Sequence, residues 1–154
     1  MEWGITKNIE YSIITALREQ ENIDQNGLTI RPEKVLDTNW HLPEVSIYYF
    51  AINPGRLEIG SNIRFDTYVI MVDIRSNDQI PPVDIADWVI KTLNNGCPYY
   101  EFSPNSADPD NPIQVVKGHL FVDVFTHLAV NLGDDVEIWD KYRHRLTLRI
   151  WVTN

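Results

Sequence analysis

Residues 63–75 read IRFDTYVIMVDIR, and the fold prediction depends on this stretch more than on any other. Its first half alternates polar and apolar side chains, and its second half is apolar on both faces, which is typical of a strand entering a core. An apolar stretch, residues 45–52 (VSIYYFAI), precedes it, and turn formers such as Asn53-Pro54-Gly55 lie between them. We therefore predict an antiparallel β-hairpin.

Two amphipathic helices flank this hairpin in the sequence. Residues 5–21 repeat apolar side chains at helical spacing, with charged and polar residues on the other side. Pro81-Pro82 begins a second helix, and Asn95-Gly96 ends it. Residues 28–30, 113–130 and 144–153 read as further strands. The chain of 154 residues is thus predicted to be a single α+β domain, with a largely antiparallel twisted sheet and two helices packed on it.

The predicted strands are long for a body of this size. A globule of this length is about 38 Å across, whereas residues 63–75 would span roughly 43 Å and residues 115–130 roughly 53 Å as single strands. Such strands bend, break or project, and Gly118 is a suitable place for a bulge. We expect a long projecting β-hairpin covered by a neighbouring subunit; a strongly coiled sheet with a bulge is the alternative.

Composition excludes several function classes. The net charge is −9, with 22 acidic and 13 basic residues, which disfavours sequence-specific nucleic-acid binding. No apolar run is long enough to cross a bilayer, so no membrane partner is expected, and the N-terminus does not resemble a signal peptide. Cys97 is the only cysteine, which rules out an intrachain disulfide and suits a reducing cytoplasm.

Candidate chemical groups are few. His119, Asp123 and His127 are four residues apart, but on a strand that spacing separates their backbones by roughly 13 Å, too far for one metal ion. Asp108 and Asp110 are interrupted by prolines that break a calcium loop. The chain lacks Gly-x-Ser-x-Gly and phosphate-binding glycine motifs. We predict no enzymatic activity, no cofactor and no metal.

Aromatic residues outside the predicted core faces point to an assembly surface, since Trp and Tyr are favoured interface anchors. A second, smaller core layer is the alternative. The predicted subunit interface comprises Tyr48, Phe50, Tyr68, Ile70, Trp88 and Trp151. The solvated loop 103–112, with Ser106, Asp108 and Asp110, is predicted to contact a partner and to be mobile until the partner orders it.

The layout of helix 5–21, hairpin 45–75, proline-started helix 82–95 and closing antiparallel pair 113–153 resembles the tail terminator and neck (tail completion) proteins of long-tailed bacteriophages. The resemblance covers the whole chain and includes no diagnostic motif, so no residue role is carried over. It implies a structural virion protein, assembled in the host cytoplasm, that forms a ring, usually a hexamer, at the head-proximal end of the tail. The ring would join the tail tube to the neck or connector, and DNA would pass its acidic lumen without specific binding.

Two alternatives remain at this point. One is another head–tail joining protein, a neck or stopper protein of different stoichiometry. The other is a small-ligand-binding α+β domain or enzyme, in which Tyr48, Tyr68, Trp88 and Phe121 would line a pocket on the sheet.

Overall fold

The computed structural model describes residues 4–20, 27–32, 43–56, 64–76, 81–130 and 143–153. These residues form two helices and six strands, which confirms the α+β class. In chain order the elements are α1 (Ile5–Arg18), β1 (Thr29–Pro32), β2 (Glu44–Arg56), β3 (Arg64–Arg75), α2 (Pro82–Leu93), β4 (Cys97–Ser103), β5 (Ile113–Val130) and β6 (Arg143–Thr153). Neither of these two helices has the length and apolar character needed to cross a membrane.

The strands form one sheet in the order β1-β2-β3-β6-β5-β4. Among the described strands, β1 and β2 are parallel and the other four neighbouring pairs are antiparallel, so the sheet is mixed. The predicted hairpin is present, because β2 pairs with β3 from Glu44↔Arg75 to Arg56↔Arg64. The predicted closing pair is also present, as the ladder between β5 and β6.

Helix α1 contacts both β1 and β4, which are the two outermost strands of the sheet. Six strands laid flat would be about 24 Å wide, at 4.8 Å between neighbours, whereas a helix is only about 10 Å in diameter. One helix therefore reaches both edges only because the sheet curls around it. Arg18, in the last turn of α1, secures the β1 side by donating from Nε and Nη2 to the carbonyl oxygen of Ile30.

The core lies inside this curl. The buried faces of the helices meet one face of the sheet, which we call the core face; the opposite face is the outer face. The largest side chains with no appreciable exposure are Ile9, Ile13, Ile14, Leu17, Ile47, Ile70, Ile74, Leu93, Leu120, Leu146, Leu148 and Ile150. Burying each such side chain contributes about 1.5–3 kcal/mol. The apolar residues that alternate along β6 and recur at helical spacing along α1 therefore stabilise the curled sheet.

Strand β4 was not predicted. Pro98 argues against a central strand, but β4 is an outermost strand, where proline is tolerated, and Pro98 is exposed. Helix α2 ends where Gly96 adopts φ +74°, a conformation that glycine adopts without strain, and the chain turns directly into β4.

The 18-residue strand β5 is interrupted by two irregularities. One extra residue, Lys117, lies between the pairs Tyr100↔Val116 and Tyr99↔Gly118, next to the glycine where a bulge was expected. A second, Phe125, lies between Val124 and Thr126. Because a bulge shifts the alternation by one residue, His119 and Asp123 lie on the outer face, whereas His127 lies on the face of its partner Leu146. Although they are evenly spaced in sequence, His119, Asp123 and His127 therefore do not all share a face.

Candidate interaction surface

Strand β5 carries an unusual set of exposed apolar side chains. Six of its large hydrophobic residues are between 49% and 60% exposed. We call them the β5 strip: Ile113, Val115, Val116, Phe121, Phe125 and Leu128. Apart from these, only Ile5 and Val83, both on helices, are large, apolar and exposed in the described part of the chain. At half exposure the six side chains together present on the order of 600 Å² of apolar surface, divided between the two faces of the strand, since neighbours such as Val115 and Val116 point to opposite faces.

The first part of the strip also borders an open backbone edge. Residues 113–118 pair with β4 on one side, whereas the ladder with β6 begins only at His119↔Thr153. Within the described residues, no strand pairs with the other edge of residues 113–118. Residues 113–117 are exposed on both faces. An unpaired strand edge flanked by apolar side chains is a template for pairing with another chain.

The centre of the strip combines an aromatic ring with an ion pair. Asp123 and Arg149 lie opposite each other on β5 and β6, and the Asp123 carboxylate accepts a hydrogen bond of 2.6 Å from Arg149 Nη2. The Arg149 guanidinium also lies 4.7 Å from the centre of the Phe125 ring. Its Nε is buried without a hydrogen-bond partner. An arginine stacked on an exposed aromatic ring is a combination enriched at protein interfaces.

At the other end of the outer face, polar and charged side chains are buried or partly buried. One row of neighbouring residues runs across four strands: Arg31, Ser46, Asp73 and Arg145. The Asp73 carboxylate accepts hydrogen bonds from Arg145 Nε at 2.7 Å and Nη2 at 3.1 Å. Glu44 Oε1 accepts from Arg31 Nε and from Ser46 Oγ. These hydrogen bonds link neighbouring strands in register, and each acidic side chain in them lies beside an arginine of opposite charge.

The residues of the predicted interface lie in different places. Trp151 lies on the outer face, opposite Phe121 of the β5 strip, and Tyr48 lies on the same face of β2; both are partly buried. Tyr68 and Ile70 lie on the core face and are buried within one chain, so they have no surface to offer a neighbour. Trp88 packs against the core from α2. The Phe50 side chain lies outside the described part of the structure.

The predicted partner loop joins β4 to β5 and has its own hydrogen-bonded structure. Ser106, Asp108 and Asp110 are exposed. The Asp108 carboxylate accepts hydrogen bonds from the Asp110 backbone N–H and from Asn111 Nδ2. The loop leads directly into Ile113, so it lies beside the open edge of β5 and extends the same surface.

The proposed pocket lining does not converge. Tyr48 and Phe121 lie on the outer face, Tyr68 on the core face and Trp88 on α2. Cys97 is buried, and burial raises the pKa of its thiol to about 12, so it stays protonated and unreactive at neutral pH. The described residues contain no group of three or more His, Cys, Asp or Glu side chains arranged to hold a metal ion.

Sequence reasoning missed most of the β5 strip. Of its six residues only Phe121 was singled out, and then as a pocket residue. The available signal was that apolar residues occur at both odd and even positions along residues 113–128. A strand buried on both of its faces shows the same pattern, so the sequence does not separate the two cases.

Comparison with known proteins adds no relative. No protein-family model matches the chain, and no curated protein matches it.

Proposed function

We propose that this chain is a structural subunit that assembles with copies of itself into a ring at the head-proximal end of a bacteriophage tail, where it acts as a tail terminator joining the tail tube to the neck or connector. The observation that carries self-assembly is the β5 strip. The placement in a phage tail rests on the resemblance of the sequence layout described above.

Removing the β5 strip from water favours association. About 600 Å² of apolar surface per chain is worth about 15 kcal/mol when removed from water. Association costs about 4–15 kcal/mol in lost translational and rotational freedom. In a ring the strip of one copy meets a different surface of the next copy, so the strip supplies about 600 Å² to one side of the contact, compared with about 800 Å² per partner in a standard interface. Each copy would use one patch to contact a different patch on the next copy. Such contacts repeat around an axis, and they close into a ring when the rotation between neighbouring copies divides a full turn evenly.

The projecting hairpin belongs to the same proposal. The β2–β3 ladder extends to Arg56↔Arg64, four residue pairs past the last β3–β6 pair at Tyr68↔Ile150. This end of the hairpin would project beyond the body and contact a neighbouring subunit. Loop 103–112 would contact the head or tail partner, because it is exposed and lies beside the strip.

The net charge of −9 agrees with a channel through which DNA moves. An acidic wall repels phosphates and offers few cations to bind them, so the strand would pass without specific contacts. A neck or stopper protein of different stoichiometry would use the same surfaces, and the mass of the assembly separates the two.

The experiment is light scattering on a sizing column across a range of protein concentrations. The chain weighs 17.9 kDa, and six copies weigh about 107 kDa. Val116→Glu places a charge in the strip, and Val83→Glu places the same charge on an exposed valine of α2. We expect a mass above that of one chain, lowered by Val116→Glu and unchanged by Val83→Glu. A mass of 17.9 kDa at every concentration would contradict self-assembly of the free chain.

A further inference from the structure

Two histidines meet at the end of the β5–β6 ladder, away from the open edge of β5. The bulge at Phe125 places His127 opposite Leu146, while His144 lies opposite Ala129. His127 and His144 are therefore diagonal neighbours on adjacent strands, where side chains still reach each other. His127 Nε2 and His144 Nδ1 are 2.8 Å apart, and the ring centres are 5.1 Å apart.

This contact holds a single shared proton. At 2.8 Å one ring nitrogen donates and the other accepts, so the two rings are not both imidazolium ions. In a neutral imidazole one ring nitrogen carries the proton and the other retains a lone pair that can bind a metal ion.

The spacing of the two nitrogens is close to that of a metal chelate. Zinc binds imidazole nitrogen at about 2.0–2.1 Å, so two nitrogens on one ion lie roughly 2.9–3.4 Å apart for bond angles between 90° and 109°. In the present contact the two nitrogens point at each other, so binding requires the rings to turn until both lone pairs converge on a point about 2 Å from each nitrogen. The ring that donates the shared proton needs only to change tautomer, which moves its proton to its other nitrogen with no net loss.

We propose that His127 and His144 form a two-histidine site for a divalent transition-metal ion, Zn²⁺, Ni²⁺ or Cu²⁺, which are the ions that imidazole ligands favour. His127 Nε2 and His144 Nδ1 are the protein ligands, and water fills the remaining coordination positions. His127 is exposed and His144 half-buried, so the ion enters from solvent. The net charge of −9 raises the concentration of cations near the chain. The proposal does not depend on the ring assembly.

The test is calorimetric titration of the whole chain with ZnCl₂ in a non-chelating buffer near pH 7.5. We expect one ion per chain and a rise in Tm with Zn²⁺, because an ion that binds only the folded chain stabilises it. His127→Gln and His144→Gln each abolish both effects. His119→Gln is the matched control, since His119 is on the same strand but on the outer face, where its Nε2 lies 3.1 Å from the Asn95 carbonyl oxygen; this variant keeps both effects.

Two results overturn the proposal: a wild-type chain that binds no Zn²⁺, or binding that survives either His127→Gln or His144→Gln. Electron paramagnetic resonance of the Cu²⁺ complex gives a second readout that does not depend on stability. Two coordinated imidazole nitrogens in the wild-type spectrum and one in each single variant support the chelate. One nitrogen in the wild type contradicts it. Circular dichroism of the variants confirms that they are folded.

Discussion

The Ser12 hydroxyl of α1 accepts a hydrogen bond of 2.9 Å from the backbone N–H of Tyr100 in β4. One helical turn earlier, Asn8 Oδ1 accepts a hydrogen bond of 3.1 Å from the backbone N–H of Phe102. These two N–H groups lie on the free side of an outermost strand, where they would otherwise be open to another chain. Helix α1 therefore closes the edge of β4 with side chains, and the open edge of residues 113–118 in β5 stands out by contrast.

The first prediction concerns this edge. Ser12→Ala removes the acceptor of a partly buried N–H while the helix keeps its apolar face. We expect a loss of about 1–3 kcal/mol in the free energy of unfolding, the cost of leaving a buried donor unpaired. Thr15→Ala is the control, because Thr15 Oγ1 donates to the Tyr11 carbonyl as Ser12 Oγ donates to that of Asn8, and it has no recorded bond to β4. Urea unfolding compares the two, and equal losses would contradict the role of Ser12 at the edge.

The second prediction concerns the turn from α2 into β4. A Cβ added at Gly96 would lie 2.0 Å from the carbonyl oxygen of Leu120, and the backbone has φ +74°. We expect Gly96→Ala to cost more than about 3 kcal/mol, since strain and collision add. Gly27 has φ +63°, but no atom of the described residues lies within 4 Å of such a Cβ. Gly27→Ala therefore isolates the backbone strain, about 1–2 kcal/mol. Thermal unfolding of both variants tests the difference. Similar losses of stability in the two variants would mean that the β5 backbone shifts at Leu120 and relieves the collision.

The hairpin and both helices were predictable because their signals are local. The alternation of residues 63–75, the turn formers before them and the proline at the start of α2 all act within a few residues. The closing pair β5–β6 was predictable for the same reason, as residues 144–153 alternate cleanly. The bulge beside Gly118 followed from strand length compared with the size of the body.

The rest depends on long-range contacts. Strand β4 exists because α1 closes its edge through Ser12 and Asn8, residues about 90 positions away in sequence. The curl follows from one helix meeting both outermost strands, which no local pattern encodes. The β5 strip has the apolar density of a core strand, and only the position of β5 in the sheet shows which of its side chains stay exposed.

The third prediction compares two ion pairs on the outer face. Asp73 has no exposed side-chain surface, and Arg145 and Arg75 lie beside it. Asp73→Asn removes its charge from this buried group, and we expect a loss of about 3–5 kcal/mol. Asp123 and Arg149 are 45% and 42% exposed, so Asp123→Asn should cost at most about 1 kcal/mol. Chemical denaturation measures both, and a loss for Asp73→Asn no larger than for Asp123→Asn would contradict the difference in burial.

The last prediction concerns Cys97 and alkaline pH. Burial raises the pKa of its thiol from 9.0 to about 12. The Cys97 thiol therefore binds its proton more tightly in the folded chain than in the unfolded chain. The contribution of this thiol to the free energy of unfolding is fully present below pH 9. Between pH 9 and about 12 the unfolded thiol ionises while the folded thiol does not, so stability falls as the pH rises. The expected slope from this group is about 1.4 kcal/mol per pH unit.

Cys97→Ala isolates that slope. Burial also raises the pKa of Tyr99 and Tyr100, so both proteins lose some stability at high pH. The cavity left by the substitution is the same at every pH, so the difference between them changes with pH through Cys97 and through its smaller effect on the pKa of Tyr100. Urea unfolding at several pH values from 8 to 10.5 should show the wild type losing stability faster than the variant above pH 9. If the free energy of unfolding fell equally with pH in both proteins, the folded thiol would ionise as readily as the unfolded one. Rapid alkylation of Cys97 in the native chain at pH 8 would lead to the same conclusion.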